Sequence, residues 1–241
     1  MSDHSQLREL VAQSCRILGK LNLTKEPSGH VSARVPGTDK VLIKARGPEE
    51  SGLRFVTADD IITVDFTGKK VEGRDGLATP QEVFIHTWLY RTRPDVQCVV
   101  HVHPLTVVLF TICNQPIQPL IGAYDPSALR LLMEGVATYP RSITVASEKL
   151  GEEFAGTMGK KSACLMRGHG ITTAAAGVEE ATLTAIKLND LAEINYRAHL
   201  LGIPEPIPQE DIDVLVGRVR GRTSAVHSAS SWRYYCKLLD E

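Results

Sequence analysis

The stretch Val99-Val100-His101-Val102-His103-Pro104 decides the fold. The segment from Val96 to His103 is rich in valine and reads as a strand that ends at Pro104. Side chains alternate faces along a strand, so His101 and His103 share one side. The plainer reading is a pair of polar residues on a solvated face. The valines around them argue for burial, and two buried imidazoles on one face need partners, which a metal ion supplies to both. A third histidine stands between glycines in Arg167-Gly168-His169-Gly170. Alone it marks a turn. With the pair it gives three neutral imidazoles and an open fourth position, the arrangement that presents a catalytic divalent metal. Zinc, iron, manganese, cobalt and nickel all suit such a donor set.

Upstream, Thr79-Pro80-Gln81-Glu82 opens a helix that runs to about Arg93 and stops at Pro94-Asp95, handing the chain to the histidine strand. Glu82 in the first turn is explained cheaply as support for the helix dipole. The sharper reading sends its carboxylate to the metal or to a substrate proton. His86 lies four residues on, on the same helix face; a hydrogen bond to Glu82 is one reading, and a surface histidine is the simpler one.

Further toward the N-terminus, Gln6 to Leu21 carries an apolar stripe at helical spacing. Val31 to Val35 alternates as a strand, with Val41-Leu42-Ile43 as its hairpin partner. Thr57 caps a turn, and Ile61 to Asp65 and Lys70 to Glu72 flank a turn at Thr67-Gly68. Downstream of the histidine strand, Leu105 to Cys113, Leu129 to Met133, Leu150 to Met158 and Val178 to Leu201 read as helices, and Ala163 to Met166 as a short buried strand. Hairpin-linked strands mixed with helices give an α/β domain, a central and mostly antiparallel sheet with helices on both sides. It spans 1–241, with a polar tail from about residue 209.

Net charge is −1 over 241 residues, which leaves no basic field to hold a nucleic acid. The longest mostly apolar run, Leu105 to Cys113, falls short of the ~20 residues a membrane helix needs. The polar start Met1-Ser2-Asp3-His4-Ser5 carries no signal peptide pattern. The five cysteines are dispersed, as reduced thiols would be. These features lead to an expectation of a cytoplasmic protein acting on a small molecule.

Several motifs together resemble the class II aldolase/adducin family: Gln81-Glu82-Val83-Phe84-Ile85-His86, Tyr90 with Arg93-Pro94-Asp95-Val96, the histidine strand, Arg167-Gly168-His169-Gly170-Ile171, and Ser28-Gly29-His30-Val31-Ser32. The similarity runs from the first helix to about Pro208. It implies a three-layer α/β/α fold, a homotetramer with sites between subunits, and a divalent metal, usually zinc, on His101, His103 and His169. It gives Glu82 the role of acid/base and sometimes of fourth ligand. Members include fuculose-phosphate aldolase and ribulose-phosphate 4-epimerase. Adducin, a cytoskeletal protein, keeps the fold without the metal histidines, so the three histidines here speak against a scaffold.

The sugar-phosphate members hold phosphate with small hydroxyl and amide donors. Here the matching positions read Gly29-His30, Arg46-Gly47 and Pro80-Gln81. Arg46 suits a planar carboxylate, gripped in bidentate fashion; a phosphate site rebuilt around Arg46 is the competing reading. The run Lys44-Ala45-Arg46-Gly47-Pro48-Glu49-Glu50 and the tail Trp232-Arg233-Tyr234-Tyr235 resemble the branch that decarboxylates dihydroxyphthalate. The resemblance thus implies a lyase of aromatic catabolism. Its metal draws off electrons as carbon dioxide leaves, and Glu82 moves the proton. Ser28, Gly29, His30, Lys44, Arg46, Gly47 and Gln81 are the expected substrate contacts, with Lys44, Arg46 and His30 as cations for carboxylate. Tyr124, His227 and Tyr235 are candidates supplied by a neighbouring subunit. The alternatives are an aldolase or epimerase on a sugar or sugar phosphate, and an adducin-like scaffold.

Overall fold

The structure is a computed structural model that describes residues 4–218 and 222–241, with the side chains of 218–227 outside that description. Helix α1 spans Ser5–Lys20. Strands β1 (His30–Arg34) and β2 (Lys40–Lys44) form a hairpin, and β3 (Ile61–Asp65) and β4 (Lys70–Glu72) form a second. A 3-10 turn over Ala58–Asp60 leads into β3, and Thr57 and Asp60 close a reciprocal capping box around it.

Helix α2 (Val83–Thr92) leads to β5 (Cys98–Val102) and then α3 (Leu105–Ile112). Next come α4 (Pro126–Glu134), β6 (Ala137–Tyr139), α5 (Glu148–Met158), β7 (Ala163–Met166) and β8 (Gly170–Ala175). Helices α6 (Val178–Leu201), α7 (Gln209–Arg218) and α8 (Arg222–Lys237) close the chain.

The sheet order is β4-β3-β2-β1-β5-β8-β7-β6, and every pairing is antiparallel except β6 with β7. Two apolar cores flank it. One gathers Val11 and Leu18 of α1, Val107 of α3 and Ile186 and Leu188 of α6 against Leu42, Val100 and Val102. The other sets Ile85 and Leu89 of α2 and Phe154 and Met158 of α5 against Val41, Ile43 and Val99. Successive strand residues thus feed opposite cores. The result is the expected three-layer α/β/α arrangement, and β5 lies near its middle.

Three local expectations are corrected. Helix α2 begins at Val83, because Pro80 and Glu82 each close a short turn first: the Val83 N–H donates to Pro80 O and the Ile85 N–H to Glu82 O. Strands β6 and β8 were not foreseen. Residues 170–174 are buried along their whole length and mostly small, so no polar face marks the strand. The tail is helical, and Trp232, Tyr235, Cys236 and Leu239 pack at helical spacing against the core beside α1 and α6.

Two contacts fix α2 against α5. Glu148 takes hydrogen bonds from Trp88 Nε1 and Arg91 Nη1, both at 2.7 Å. Gly151 lets the helices touch: a Cβ there would stand 2.4 Å from Trp88 Cδ1 and 2.7 Å from the Phe84 carbonyl. Gly151→Ala must push α2 outward and is expected to cost ~1–3 kcal/mol. Urea unfolding measures it, and an unchanged midpoint contradicts the packing described.

Candidate metal centre and substrate cleft

His101 and His103 lie on the α2/α5 side of the sheet, since Val99, two residues before His101, belongs to that core. His101 is wholly buried near the end of β5, and His103 follows the strand into the mouth of a cleft. His169 reaches the same point from the β7–β8 turn, whose His169 N–H donates to Met166 O at 3.1 Å. Gly168 sits at φ +58°, a conformation open to glycine. Gly170 is dictated by space: a Cβ there would stand 2.4 Å from Val102 O and 2.7 Å from His103 Cδ2.

Glu82 completes the cluster. As the residue preceding α2 it makes no side-chain cap hydrogen bond; its carboxylate turns to Val145 and the histidines instead. Its Oε1 accepts the Val145 N–H at 2.8 Å, and this bond aims Oε2 at His101 Nε2 (3.4 Å) and His169 Nε2 (3.3 Å). His103 Nε2 lies 2.9 Å from His101 Nε2. The four donor atoms all fall within 4.8 Å of one another. Donors on a tetrahedral zinc at ~2.0–2.1 Å are about 3.3–3.4 Å apart, so three imidazoles and one carboxylate oxygen suit a divalent ion. The second nitrogen of His101 is held from behind: Nδ1 lies 3.2 Å from Thr172 Oγ1. A donor proton on Nδ1 leaves Nε2 as a free lone pair, the form a metal binds.

The electrostatics agree. Burial drives the His103 pKa down to about 3, helped by His101 and His169, so the ring is neutral, the form that can bind a metal. Burial pushes the Glu82 carboxyl upward, but hydrogen bonds and charge from His101 and His169 overcome it and hold the group well below the usual carboxylate range. Glu82 is therefore an anion at neutral pH.

The cleft beside the cluster encloses about 750 Å³. Ser28, Gly29, His30, Lys44, Arg46, Gly47 and Gln81 all line it, together with Glu82, His103 and His169. Their chemistry differs from what residue type alone suggests. Lys44 is 4% exposed and ion-paired with Glu50, so its charge is already compensated. His30 is no cation: burial, then charge on His86 and His101, lowers its pKa well below the ordinary value. The Ser28 hydroxyl is committed to Lys25 O and Thr24 Oγ1. Arg46 is exposed, its backbone pinned to Ala78 in both directions, and its guanidinium has no partner among the described residues.

Tyr124 is exposed and Tyr235 is half-buried against its own chain's core; neither lines the cleft. The side chain of His227 lies outside the described residues. His86 is fully buried, contrary to the surface reading, and hydrogen-bonds His30 and Ser32. Val145 and Thr172 also escaped sequence reasoning. One acts through its backbone and the other belongs to the unforeseen strand β8.

Residues 9–196 match the profile of the Class II Aldolase and Adducin N-terminal domain. A 3,4-dihydroxyphthalate decarboxylase of Arthrobacter keyseri is 39% identical over 202 residues, covering 83% of this chain and 81% of that protein. The 3,4-dihydroxyphthalate decarboxylase of a Terrabacter species is 36% identical over 230 residues, 94% of each chain. Among solved structures, the L-fuculose 1-phosphate aldolase from Glaciozyma antarctica superposes with a TM-score of 0.82 at 19% identity, over 99% of this chain and 90% of that one. The last likeness is one of fold.

Elemental analysis of purified protein is expected to find about one divalent ion per chain, lost in His101→Ala. Thr172→Val should weaken metal affinity about 10- to 100-fold by releasing the His101 ring; unaltered affinity would remove Thr172 from the site. A pH effect follows from His86, which burial, then charge on His101, lowers to about 3. The unfolded chain titrates this residue near ~6.5 and binds more protons between those values, so stability rises with pH through that window. Urea midpoints from pH 4 to 7 should show a shallower slope in His86→Gln than in the wild type.

Proposed function

We propose, from the premise that the chain belongs to the class II aldolase and adducin family, that it is a metal-dependent carboxy-lyase. Its substrate is a hydroxylated aromatic carboxylic acid of the 3,4-dihydroxyphthalate type. The observation that carries this reading is Arg46, an unpaired guanidinium in the cleft that also holds Glu82 and the histidines. A second carboxylate on the ring matches its planar fork. Relatives that are 39% and 36% identical carry the same activity in their names.

A divalent metal on His101, His103 and His169, zinc being favoured by the donor set, would supply Lewis acidity toward the vicinal oxygens of the substrate. The remaining chemistry belongs to the chain. Arg46 grips the carboxylate that stays and thereby aims the other at the open side of the cleft. Glu82 starts as an anion, takes the proton of a ring hydroxyl and delivers it to the ring carbon bearing the departing carboxylate. The carbon–carbon bond then breaks, carbon dioxide leaves, and the bonding pair returns to the ring as aromaticity is restored. The ring oxygen recovers a proton from solvent. The Val145 N–H holds Oε1 throughout, so Oε2 is the oxygen that carries the proton.

The sugar-phosphate reading gains less from the site. The Ser28 hydroxyl is already bound, and Pro80 and Gln81 precede Glu82 where small hydroxyl donors would be needed. We place the enzyme in a reducing cytoplasm, consistent with the free state of all five cysteines. We propose a homotetramer, consistent with exposed apolar side chains such as Tyr124, Leu201 and Ile203.

Purified enzyme loaded with zinc should release carbon dioxide from 3,4-dihydroxyphthalate and leave fuculose 1-phosphate intact. Arg46→Met should lower kcat/KM by about 10- to 100-fold, the worth of a charged hydrogen-bond pair. Glu82→Gln should lower kcat by about 10²- to 10⁴-fold. Turnover of the sugar phosphate alone would overturn the assignment.

A further inference from the structure

Behind the cleft, four buried polar groups form a single file. Tyr90 OH lies 2.7 Å from Ser32 Oγ, Ser32 Oγ 2.6 Å from His86 Nδ1, and His86 Nε2 2.6 Å from His30 Nδ1. Tyr90, Ser32 and His86 are sealed from solvent, and His30 lines the cleft with its ring 5.0 Å from that of His101. The Nε2 of His30 has no partner among the described residues and is not sealed off, so it faces the cleft.

Proton accounting gives the file a direction. The Tyr90 hydroxyl meets Ser32 Oγ and the backbone N–H of Val99; the N–H can only donate, so Ser32 Oγ is the acceptor left for the buried O–H. Tyr90 therefore donates to Ser32. Ser32 has two partners and has now spent one as acceptor, so its own proton goes to His86 Nδ1. His86 then carries its proton on Nε2 and donates it to His30 Nδ1. The reverse order would strand the phenolic proton of Tyr90 in the interior. Both rings are buried among other imidazoles, His30 with its centroid 4.8 Å from that of His86 and 5.0 Å from that of His101, a setting that disfavours a second proton on either ring.

We propose that Tyr90, Ser32 and His86 are positioning residues that lock His30 as the Nε2–H tautomer, so that His30 serves as a neutral hydrogen-bond donor to an anionic oxygen of the substrate. The tautomer stands on the hydrogen-bond chain alone; the identity of the acceptor rests on the decarboxylase reading. The arrangement supplies an acceptor-free donor beside the metal cluster without adding a second charge. It thereby separates two tasks: Arg46 recognises charge, and His30 recognises where the oxygen sits.

Zinc-loaded enzyme with 15N-labelled histidine tests the proposal through two-bond proton–nitrogen correlations, which distinguish protonated from bare ring nitrogens. Signals are assigned by their loss in His30→Gln and His86→Gln. The expected result is Nε2–H with bare Nδ1 for both residues, and a shift of His86 toward a mixture in Tyr90→Phe. An Nδ1–H tautomer or an imidazolium at His30 in the wild type overturns the proposal, as does an unaltered tautomer in Tyr90→Phe. In kinetics, His30→Leu should raise KM for 3,4-dihydroxyphthalate at least about tenfold, the loss of one hydrogen bond to a charged group, and His30→Gln should recover part of it. Equal KM in the two variants overturns the donor role. Absence of carbon dioxide release by a wild type that shows the expected tautomers would defeat the activity reading and leave the ordered chain standing.

Discussion

Alternation along β5 is the constraint from which the rest follows. Val100 and Val102 bind this strand to the α1/α6 layer, and Val99 binds it to the α2/α5 layer. The residues that continue the second face are His101 and His103. A strand buried on both sides has no tolerance for slippage, because one residue of shift exchanges its faces. Hydrophobic burial therefore sets the angle at which two imidazoles enter the site, and the candidate metal ligands gain their order from packing that has no chemical role. Glu82 is ordered in the same way: α2 is locked to α5, and the N–H of Val145 just before α5 holds the carboxylate.

How far the sequence discloses this depends on whether a residue's role is periodic or positional. The histidine pair was legible because period two is a geometric necessity, and His169 was legible because glycines flank it. Glycine at 170 in particular reflects the approach of His103, a contact between segments far apart in the chain. Strand β8 was illegible because its small, evenly buried residues carry no alternation. Helix α8 was illegible in a different sense: its apolar residues recur at helical spacing, but its polar composition outweighs them. The partner of Glu82, the backbone of Val145, has no side-chain signature at all.

Formal charge was the least reliable guide. Lys44, Arg46 and His30 read alike as cations, and the fold treats each differently. Lys44 ends β2 facing inward, where a cation without an anion would be costly, and Glu50 supplies that anion. His30 ends up beside two other imidazoles in a place that rejects charge. Arg46 stands clear of the strand, on a bridge to Ala78 that fixes its backbone and leaves its side chain free. The strand end thus divides three basic residues into a structural ion pair, a neutral donor and one available cation.

That division bears on how one fold can serve both sugar phosphates and aromatic acids. A phosphate, with charge spread over several oxygens, is held well by many short donors, whereas a ring carboxylate is planar and presents two. A single guanidinium on a fixed backbone discriminates by shape, provided no second cation competes for the same oxygens. Compensation of Lys44 by Glu50 removes that competitor. The neutral state of His30 removes another; on the proposed decarboxylase reading, it also avoids holding a dianionic substrate so firmly in the ground state that departure of carbon dioxide gains nothing from the site. On that reading the economy of positive charge in this cleft serves catalysis, and burial of two of the three basic groups provides it.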